Sequence, residues 1–300
     1  MGIMRTLGII VLALALASVA AHTTVAGELG APVDKQFIAT LDGTVQKYVE
    51  MLPVGFDNSQ PHDILIALHG HNSDRWQFVT GTQSVLTGTR AAAAAHEMIF
   101  ISPDYRAIAS WMGPAAEADM VQLIALLRAQ YNVRNVIMCG SSMGGTSAPI
   151  FAALHPDLIE GVCGFNGTAN MVEFNNPAFL PAIALSYGGT KEQVPEQYIM
   201  RSTELVPGQF LSMPVALTVG GKDTDVPPDS MRRLAASLEA LNHPCFMMTD
   251  NPYVGHSTTY ADTVASLDFV INAAAIPEPA TLGLLGAGIA GLVLRRRRAH

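Results

Sequence analysis

Six short apolar runs recur along the middle of the chain and constrain its fold more than any other feature. They lack the alternation of a half-exposed strand, and such runs form strands that are covered by helices on both faces of a sheet. The runs are Ile64 to Leu68, Met98 to Ile101, Val136 to Cys139, Val162 to Phe165, Val215 to Val219 and Cys245 to Thr249. Helical segments lie between them, and this alternation predicts a mostly parallel sheet flanked by helices, in the α/β class.

Two segments between these runs are typical of amphipathic helices. Residues 115–131 place apolar side chains on one face, with acidic residues early and an arginine late, an arrangement that the helix dipole favours. Residues 229–241 follow a similar pattern directly after a Pro-Pro pair. Before the first run, residues 36–53 predict a β-hairpin with Asp42 and Gly43 in its tight turn.

The segment from residue 166 to residue 212 interrupts this rhythm. It separates two strand candidates, contains a Gly-Gly pair and several prolines, and shows only a weak helical pattern. Because a structureless loop of this length is uncommon in a compact domain, we expect a small cap or lid insertion. No internal repeat or linker divides the remainder, so residues 27–276 are expected to form one domain that carries this insertion.

A glycine-flanked serine motif, Gly140-Ser141-Ser142-Met143-Gly144, lies directly after one apolar run and before a helical stretch. This strand–turn–helix context is the one in which a G-x-S-x-G sequence presents a nucleophilic serine. The central position of the motif selects Ser142 over Ser141. A helix that begins just beyond this residue also offers backbone N–H groups to developing negative charge. We therefore expect Ser142 to be a nucleophile.

A serine nucleophile needs a base, and the base needs a carboxylate that orients it. His256 is selected among nine histidines because it follows the last strand candidate, in Gly255-His256-Ser257. Asp223 and Asp225 both follow the run that ends at Val219. The pattern Asp-x-x-Val-Pro selects Asp223, whereas Asp225 could cap or hydrogen-bond the next turn.

Backbone N–H donors are required for the negative charge that forms on an attacked carbonyl oxygen. Met143 follows the nucleophile, and its N–H is one expected donor. The first apolar run leads into His69-Gly70-His71-Asn72, and the N–H of His71 is the second expected donor. His69 is expected to brace this loop through side-chain hydrogen bonds.

Three side chains beyond strand ends are candidates for a substrate pocket, namely Tyr105, Trp111 and Asn166. Ligands of open α/β sheets bind outside the carboxyl ends of the strands, although each of these side chains is individually more typical of packing. The sequence has no zinc-ligand spacing and no His-Glu-x-x-His. Neither a metal nor another cofactor is therefore expected.

Four landmarks between about Ile64 and Asp262 resemble the α/β-hydrolase superfamily, especially its secreted esterases and its prolyl-oligopeptidase-like branch. They are His69-Gly70, Gly140 to Gly144, Asp223-x-x-Val-Pro and Gly255-His256. The resemblance implies the α/β-hydrolase fold and a triad in the chain order Ser142, Asp223, His256. It also implies hydrolysis of small-molecule or polysaccharide-linked esters through an acyl-enzyme. The alternatives are a prolyl-oligopeptidase-like serine peptidase and a catalytically inactive surface binding protein.

The N-terminal segment, residues 1–26, is typical of a secretory signal peptide. It has one early positive charge, an unbroken apolar run from Leu7 to Ala17 and small residues after it. Cleavage is expected after Ala20, Ala21 or Ala26. The alternative is a retained membrane anchor, for which the apolar run is short.

The C-terminal segment, residues 277–300, combines Pro277-Glu278-Pro279, an apolar stretch and four consecutive arginines. This combination resembles the PEP-CTERM sorting signal of certain bacteria. The resemblance implies export, a transient membrane tether through this transmembrane segment and cleavage by an exosortase-type enzyme. The expected location is the cell envelope or the extracellular space. The alternative is an ordinary C-terminal anchor.

The body between the two ends is strongly acidic. Five of the 17 lysines and arginines lie in the end segments but only one of the 25 acidic residues does, which leaves 12 against 24 and a net charge of about −12. Phosphate binding requires clustered cations, so no nucleic-acid partner is expected. The three cysteines, Cys139, Cys163 and Cys245, lie in or beside apolar runs and are expected to be buried apolar residues.

Overall fold

The computed structural model describes residues 27–275, so the expected signal peptide and the C-terminal segment from residue 277 lie outside the described residues. Eight strands are present: β1 (Val33–Ile38), β2 (Val45–Met51), β3 (His62–Leu68), β4 (Ile99–Pro103), β5 (Val133–Ser141), β6 (Gly161–Phe165), β7 (Val215–Gly220) and β8 (Phe246–Asn251). The α-helices are α1 (Gln77–Thr80), α2 (Ser84–Ala95), α3 (Pro114–Gln130), α4 (Met143–Leu154), α5 (Leu180–Tyr187), α6 (Pro195–Met200), α7 (Asp229–Ala240) and α8 (Tyr260–Ala274). No helix within the described part of the chain is long and apolar enough to cross a membrane.

The eight strands form one sheet in the order β1-β2-β4-β3-β5-β6-β7-β8. Strand β2 pairs antiparallel with both β1 and β4, and all other neighbours are parallel. Strands β1 and β2 form the predicted hairpin, and Gly43 in its turn has a φ of 74°, a conformation that favours glycine. Each of the six apolar runs lies in a strand or overlaps one, which confirms the predicted α/β class and mostly parallel sheet.

The two faces of the sheet are covered by different helices. In β3, Ile64, Ile66 and Leu68 pack in one core cluster with residues of α3, α4 and α7, whereas Leu65 and Ala67 pack in a second cluster with α2 and α8. Successive strand residues therefore both meet apolar surface, which is why the strand sequences do not alternate.

Residues 166–212 contain α5, α6 and two 3₁₀ turns, Thr203–Leu205 and Pro207–Phe210. Three of its aromatic residues, Tyr187, Tyr198 and Phe210, are buried in the same cluster as the apolar face of α3. This packing attaches the insertion to the side of the sheet that α3 and α4 cover. A role as cap or lid stays a prediction.

Candidate active site

Ser142 lies at a sharp turn between the end of β5 and the start of α4. Its backbone has a φ of 60° and a ψ of −118°, a strained region for a residue other than glycine. A Cβ added to Gly140 would lie 2.4 Å from the backbone of Gly144, and one added to Gly144 would lie 1.9 Å from the carbonyl oxygen of Leu68. The glycines of the motif are therefore required by close backbone contacts on both sides of the serine.

The structure brings Ser142, His256 and Asp223 into one hydrogen-bonded chain. The Oγ of Ser142 lies 2.8 Å from Nε2 of His256, and Nδ1 of His256 lies 2.6 Å from Oδ2 of Asp223. Asp223 follows β7 and His256 follows β8. Their loops pass so closely that a Cβ on Gly220 would lie 1.9 Å from the carbonyl oxygen of Gly255.

Of the two aspartates that the sequence leaves open, Asp223 is the one that meets the imidazole. It is buried, and its second oxygen accepts hydrogen bonds from the N–H groups of Asp225 and Val226, each at 3.0 Å. The side chain of Asp225 is exposed. These bonds hold the Asp223 carboxylate in one orientation, as the orienting member of a triad requires.

Asp223, Asp225 and His256 are also the one group of three or more histidine, cysteine and acidic side chains in residues 27–275 whose ligand atoms all lie within 4.8 Å of one another. Two of these atoms already bond to each other, and His256 bonds to Ser142 through its other nitrogen. The group therefore has the connectivity of a nucleophile, base and orienting carboxylate.

The two expected backbone donors lie beside Ser142. Met143 is the first residue of α4, and His71 lines the same cavity as Ser142. Within residues 27–275, neither backbone N–H donates a hydrogen bond to another protein group. Donors that remain unused next to a nucleophile are what an oxyanion hole requires.

The peptide groups on either side of His71 are fixed. The N–H of Gly70 donates to Oε1 of Gln77 at 2.7 Å, and the N–H of Asn72 donates to the carbonyl oxygen of Ile108 at 2.7 Å. His71 is thus held between two anchored neighbours while its own N–H stays free.

A cavity of about 580 Å³ contains Ser142 and His256 in its wall. Its other polar side chains are uncharged amides and hydroxyls, among them Gln77, Gln83, Ser84, Ser257, Thr258 and Thr259. Burial lowers the pKa of the His71 imidazole, which favours its uncharged form. No aspartate, glutamate, lysine or arginine of residues 27–275 lines this cavity. Gln77 and Gln83 have no recognisable sequence signal, because the starts of α1 and α2 bring them to the cavity.

The three pocket candidates lie behind the cavity wall instead of in it. Tyr105 is buried and its hydroxyl donates to the carbonyl oxygen of His69 at 2.6 Å; Trp111 is fully buried and its indole N–H donates to Nδ1 of His71 at 3.2 Å. Asn166 is buried, and its amide contacts Thr258. Each candidate therefore reaches the cavity only through a neighbour, because its own side chain is enclosed by the fold.

A second cavity of about 580 Å³ lies between the insertion and the start of α7. Its wall includes Asn170, Phe174 and Arg233, and it approaches the triad only through Thr224, the neighbour of Asp223. Neither Ser142 nor His256 lines it, so the candidate nucleophile and base belong to the first cavity.

Two sequence families match the chain. The prolyl oligopeptidase family matches residues 105–270, and the PEP-CTERM protein-sorting motif matches residues 275–298. No curated protein matches the chain in sequence.

Solved structures share the fold at low identity. A protein assigned as a dipeptidyl aminopeptidase IV from Bacteroides ovatus is 15% identical with a TM-score of 0.63; the alignment covers 82% of this chain but 36% of that one. The fluorophosphonate-binding serine hydrolase F of Staphylococcus aureus is 15% identical with a TM-score of 0.61, covering 83% and 99%. A ferulic acid esterase from Anaeromyces mucronatus is 15% identical with a TM-score of 0.59, covering 82% and 91%. These neighbours have the α/β-hydrolase fold.

Proposed function

Because the chain belongs to the prolyl oligopeptidase family and is a serine hydrolase of the α/β-hydrolase type, we propose that it is an exported carboxylic ester hydrolase. Ser142, His256 and Asp223 are its proposed triad. The continuous hydrogen-bond chain through the three side chains, at 2.8 Å and 2.6 Å, carries the proposal.

In the proposed reaction, Oγ of Ser142 attacks the ester carbonyl while Nε2 of His256 takes the hydroxyl proton. Asp223 holds the opposite ring nitrogen and stabilises the imidazolium that forms. The N–H groups of Met143 and His71 donate to the oxyanion. His256 then gives its proton to the leaving alcohol, and an acyl-enzyme remains on Ser142. Water activated by His256 attacks this ester, releases the carboxylic acid and restores the serine hydroxyl.

The uncharged wall of the cavity favours neutral esters as substrates. An aminopeptidase that recognises a free amino terminus must desolvate an ammonium group, which is costly without a carboxylate partner. The cavity wall within residues 27–275 carries none. Amides and hydroxyls such as those of Gln83 and Thr258 suit a hydroxyl-rich alcohol, so we propose acyl groups on polysaccharides as the substrate class. The ferulic acid esterase from Anaeromyces mucronatus shares the fold, which supports ester hydrolysis as the reaction class.

A serine peptidase is the second candidate, and the family match over residues 105–270 is the observation that favours it. The chain spans only 36% of the Bacteroides ovatus protein, so that protein's activity is not carried over. An inactive binding protein is disfavoured, because each expected triad member is present and hydrogen-bonded.

The PEP-CTERM motif indicates export and membrane-anchored sorting. We propose that the C-terminal segment tethers the new chain to the membrane and that an exosortase-type enzyme then removes it. The acidic body would be released to the cell envelope or the extracellular space.

Labelling with a fluorophosphonate probe tests the mechanism. We expect the wild-type protein and Ser141→Ala to become labelled, and Ser142→Ala to remain unlabelled. Ser141 is a matched control because it is the adjacent serine in the same motif. Labelling of Ser142→Ala at the wild-type rate would contradict the proposed nucleophile.

A comparison of substrates tests the reaction class. We expect a higher kcat/KM for short acyl esters than for proline-containing peptide amides. If the peptide amides were cleaved with the higher kcat/KM, the proposal of an ester hydrolase would be wrong. The proposed role of Ser142 as nucleophile would not be affected by this result.

A further inference from the structure

Residues 105–112, between β4 and α3, lie against the loop that carries His71; we call them the bracing loop. Three hydrogen bonds join the two segments at successive points. They are Tyr105 hydroxyl to His69 carbonyl (2.6 Å), Asn72 N–H to Ile108 carbonyl (2.7 Å) and Trp111 indole N–H to His71 Nδ1 (3.2 Å). The bracing loop therefore holds the side chain of His71 directly, and it also holds the backbone of Asn72, the next residue along the chain.

The bracing loop has an unfavourable backbone conformation. Four of the nine non-glycine residues with positive φ in residues 27–275 belong to it: Tyr105 at 32°, Arg106 at 86°, Trp111 at 45° and Met112 at 54°. Such conformations cost free energy and persist only where surrounding contacts over-determine them. Such conformations cluster at functional sites. The contacts that hold the bracing loop in this conformation therefore bear on the function of the site beside it.

The insertion supplies those contacts. The hydroxyl of Tyr187 donates to the carbonyl oxygen of Trp111 at 3.0 Å, and Nε of Arg201 donates to that of Met112 at 2.6 Å. Arg201 is only 1% exposed. Ser186 also donates to the carbonyl oxygen of Ser110. Three consecutive carbonyls of the bracing loop are thus bonded to the insertion.

Trp111 of the bracing loop and His71 both pack against an aromatic ring of the insertion. The ring of Phe179, from the insertion, lies 5.4 Å from that of Trp111 and 4.9 Å from that of His71. Since Nδ1 of His71 accepts a hydrogen bond from the indole N–H of Trp111, a neutral His71 carries its own proton on Nε2. Ring orientation and tautomer are therefore both set by Trp111.

An alternative is that Trp111 is a core residue whose buried N–H has simply found a partner, as buried donors do. What separates the two explanations is the identity of that partner. His71 lines the cavity of Ser142 and has an unused backbone N–H. A packing role predicts a loss of stability when the indole N–H is removed, whereas a positioning role predicts a loss of turnover.

We propose that Trp111 is a positioning residue for the oxyanion-binding N–H of His71, and that Tyr187 and Arg201 of the insertion hold it in place. This inference rests on the proposed function, because it assumes that the His71 N–H binds the oxyanion. Such a donor acts only when its distance to the oxyanion is that of a hydrogen bond. A small displacement weakens the transition state more than the bound substrate, so kcat falls while KM changes little.

Trp111→Phe tests the proposal, because phenylalanine keeps an aromatic ring beside Phe179 and lacks the N–H. We expect kcat for a short acyl ester to fall by about tenfold to a hundredfold, within the loss caused by removing one oxyanion donor, with KM within about twofold. The rate of fluorophosphonate labelling should fall in the same proportion. Trp76→Phe is the matched control, because Trp76 is the only other tryptophan and its indole N–H bonds to no group in residues 27–275.

Tyr187→Phe provides a second variant that leaves the indole and the cavity intact. It removes one bond to the bracing loop, and we expect a smaller fall in kcat, again with little change in KM. In the Trp111→Phe background the same change should have little further effect, since both act through His71. Additive effects of the two changes on kcat would overturn the proposed path through Trp111.

The outcomes separate the inference from the proposed function. A wild-type protein that neither labels nor hydrolyses esters would overturn the proposed function, and the inference with it. A wild-type protein that does both, together with an unchanged kcat in Trp111→Phe, would overturn the inference alone. If Trp111→Phe fails to fold, the kcat and KM of Tyr187→Phe test the inference instead. An unchanged kcat in Tyr187→Phe would then overturn the inference.

Discussion

Asp223 and Asp225 illustrate how a choice between neighbouring residues depends on backbone geometry. Both follow β7 and both have the right chemistry, so the sequence selects between them only through the Asp-x-x-Val-Pro pattern. In the fold, the turn donates two N–H groups to Oδ1 of Asp223 and leaves Oδ2 for His256. The same turn exposes the side chain of Asp225.

We expect Asp223→Asn to lower kcat for a short acyl ester by about ten-thousandfold, because an amide favours the wrong imidazole tautomer. Asp225→Asn is the matched control, two residues away and exposed, and should retain wild-type kcat. Steady-state kinetics on both variants measure the difference. A larger loss in Asp225→Asn would reverse the assignment of the orienting carboxylate.

His69 makes stability depend on pH. Burial lowers the pKa of its imidazole below the usual 6.5, so the unfolded chain binds a proton at this residue at a higher pH than the folded protein. The contribution of His69 to the free energy of unfolding is therefore fully present above pH 6.5. It is lost as the pH falls towards the lowered pKa of His69 in the folded protein.

Urea unfolding at a series of pH values measures this effect. The free energy of unfolding should fall below pH 6.5 with a slope of up to about 1.4 kcal/mol per pH unit from this residue. His69→Asn keeps a donor for the nearby carbonyl of Gly70 and should reduce the slope. An equal slope in wild type and variant would show that another group is responsible.

At the scale of elements, the contact between β3 and α4 has no room for a side chain at Gly144. A Cβ there would lie 1.9 Å from the carbonyl oxygen of Leu68. We expect Gly144→Ala to lower the free energy of unfolding by about 1–3 kcal/mol, as overpacked positions do, and to displace Ser142. Chemical denaturation and kcat check the two effects.

Gly208→Ala is the matched control for this change. No heavy atom lies within 4 Å of an added Cβ at Gly208, which has no positive φ. Alanine there should stabilise the protein by up to about 1 kcal/mol, because it restricts the unfolded chain. Destabilisation of similar size in both variants would mean that the close contact at Gly144 is not the cause.

The central strands could be predicted because two helix layers bury both of their faces, and this leaves unbroken apolar runs in the sequence. Helix α2 has a much weaker signal, since Ser84–Ala95 consists largely of small residues. The reason is its close packing against α8, where a Cβ on Gly88 would lie 3.0 Å from Thr263. Such a helix lacks an amphipathic pattern of large apolar residues, even though its alanines favour the helical conformation.

The insertion could be predicted as a compact segment but not in its contacts. Its elements are short, and its anchors, such as Arg201 on the carbonyl of Met112, join residues far apart in sequence. The hydrogen bond between Trp111 and His71 likewise joins residues far apart in sequence. Ser142, Asp223 and His256 could be selected as a candidate triad from the sequence, because each follows a strand in a recognisable motif. The hydrogen bonds of the bracing loop have no such local pattern.

At the scale of the molecule, the three cysteines are free thiols in residues 27–275. Cys139 and Cys163 are fully buried, and burial raises the pKa of all three. A thiol reagent should therefore modify at most Cys245 in the native protein and all three after unfolding. A reductant should leave the unfolding midpoint unchanged. Rapid modification of two thiols in the native state would contradict this burial.

The C-terminal segment should act on location and not on chemistry. We expect a chain that lacks residues 277–300 to keep the kcat of the full chain, because the proposed triad and its cavity lie within residues 27–275. In a host without an exosortase-type enzyme, the full chain should remain in the membrane fraction and the shortened chain should be soluble. Equal distribution of the two chains would contradict a tether in this segment.

Ser186, Tyr187 and Arg201 bond to three successive carbonyls of the bracing loop. These bonds restrict which segments can replace the insertion. A chimaera with a foreign segment in place of residues 166–212 loses those hydrogen-bond partners. The bracing loop, with its four positive φ angles, then lacks the contacts that hold it. Replacing this insertion therefore requires residues 105–112 to be transplanted with it. The two segments are thus coupled by direct hydrogen bonds, although more than fifty residues of chain separate them.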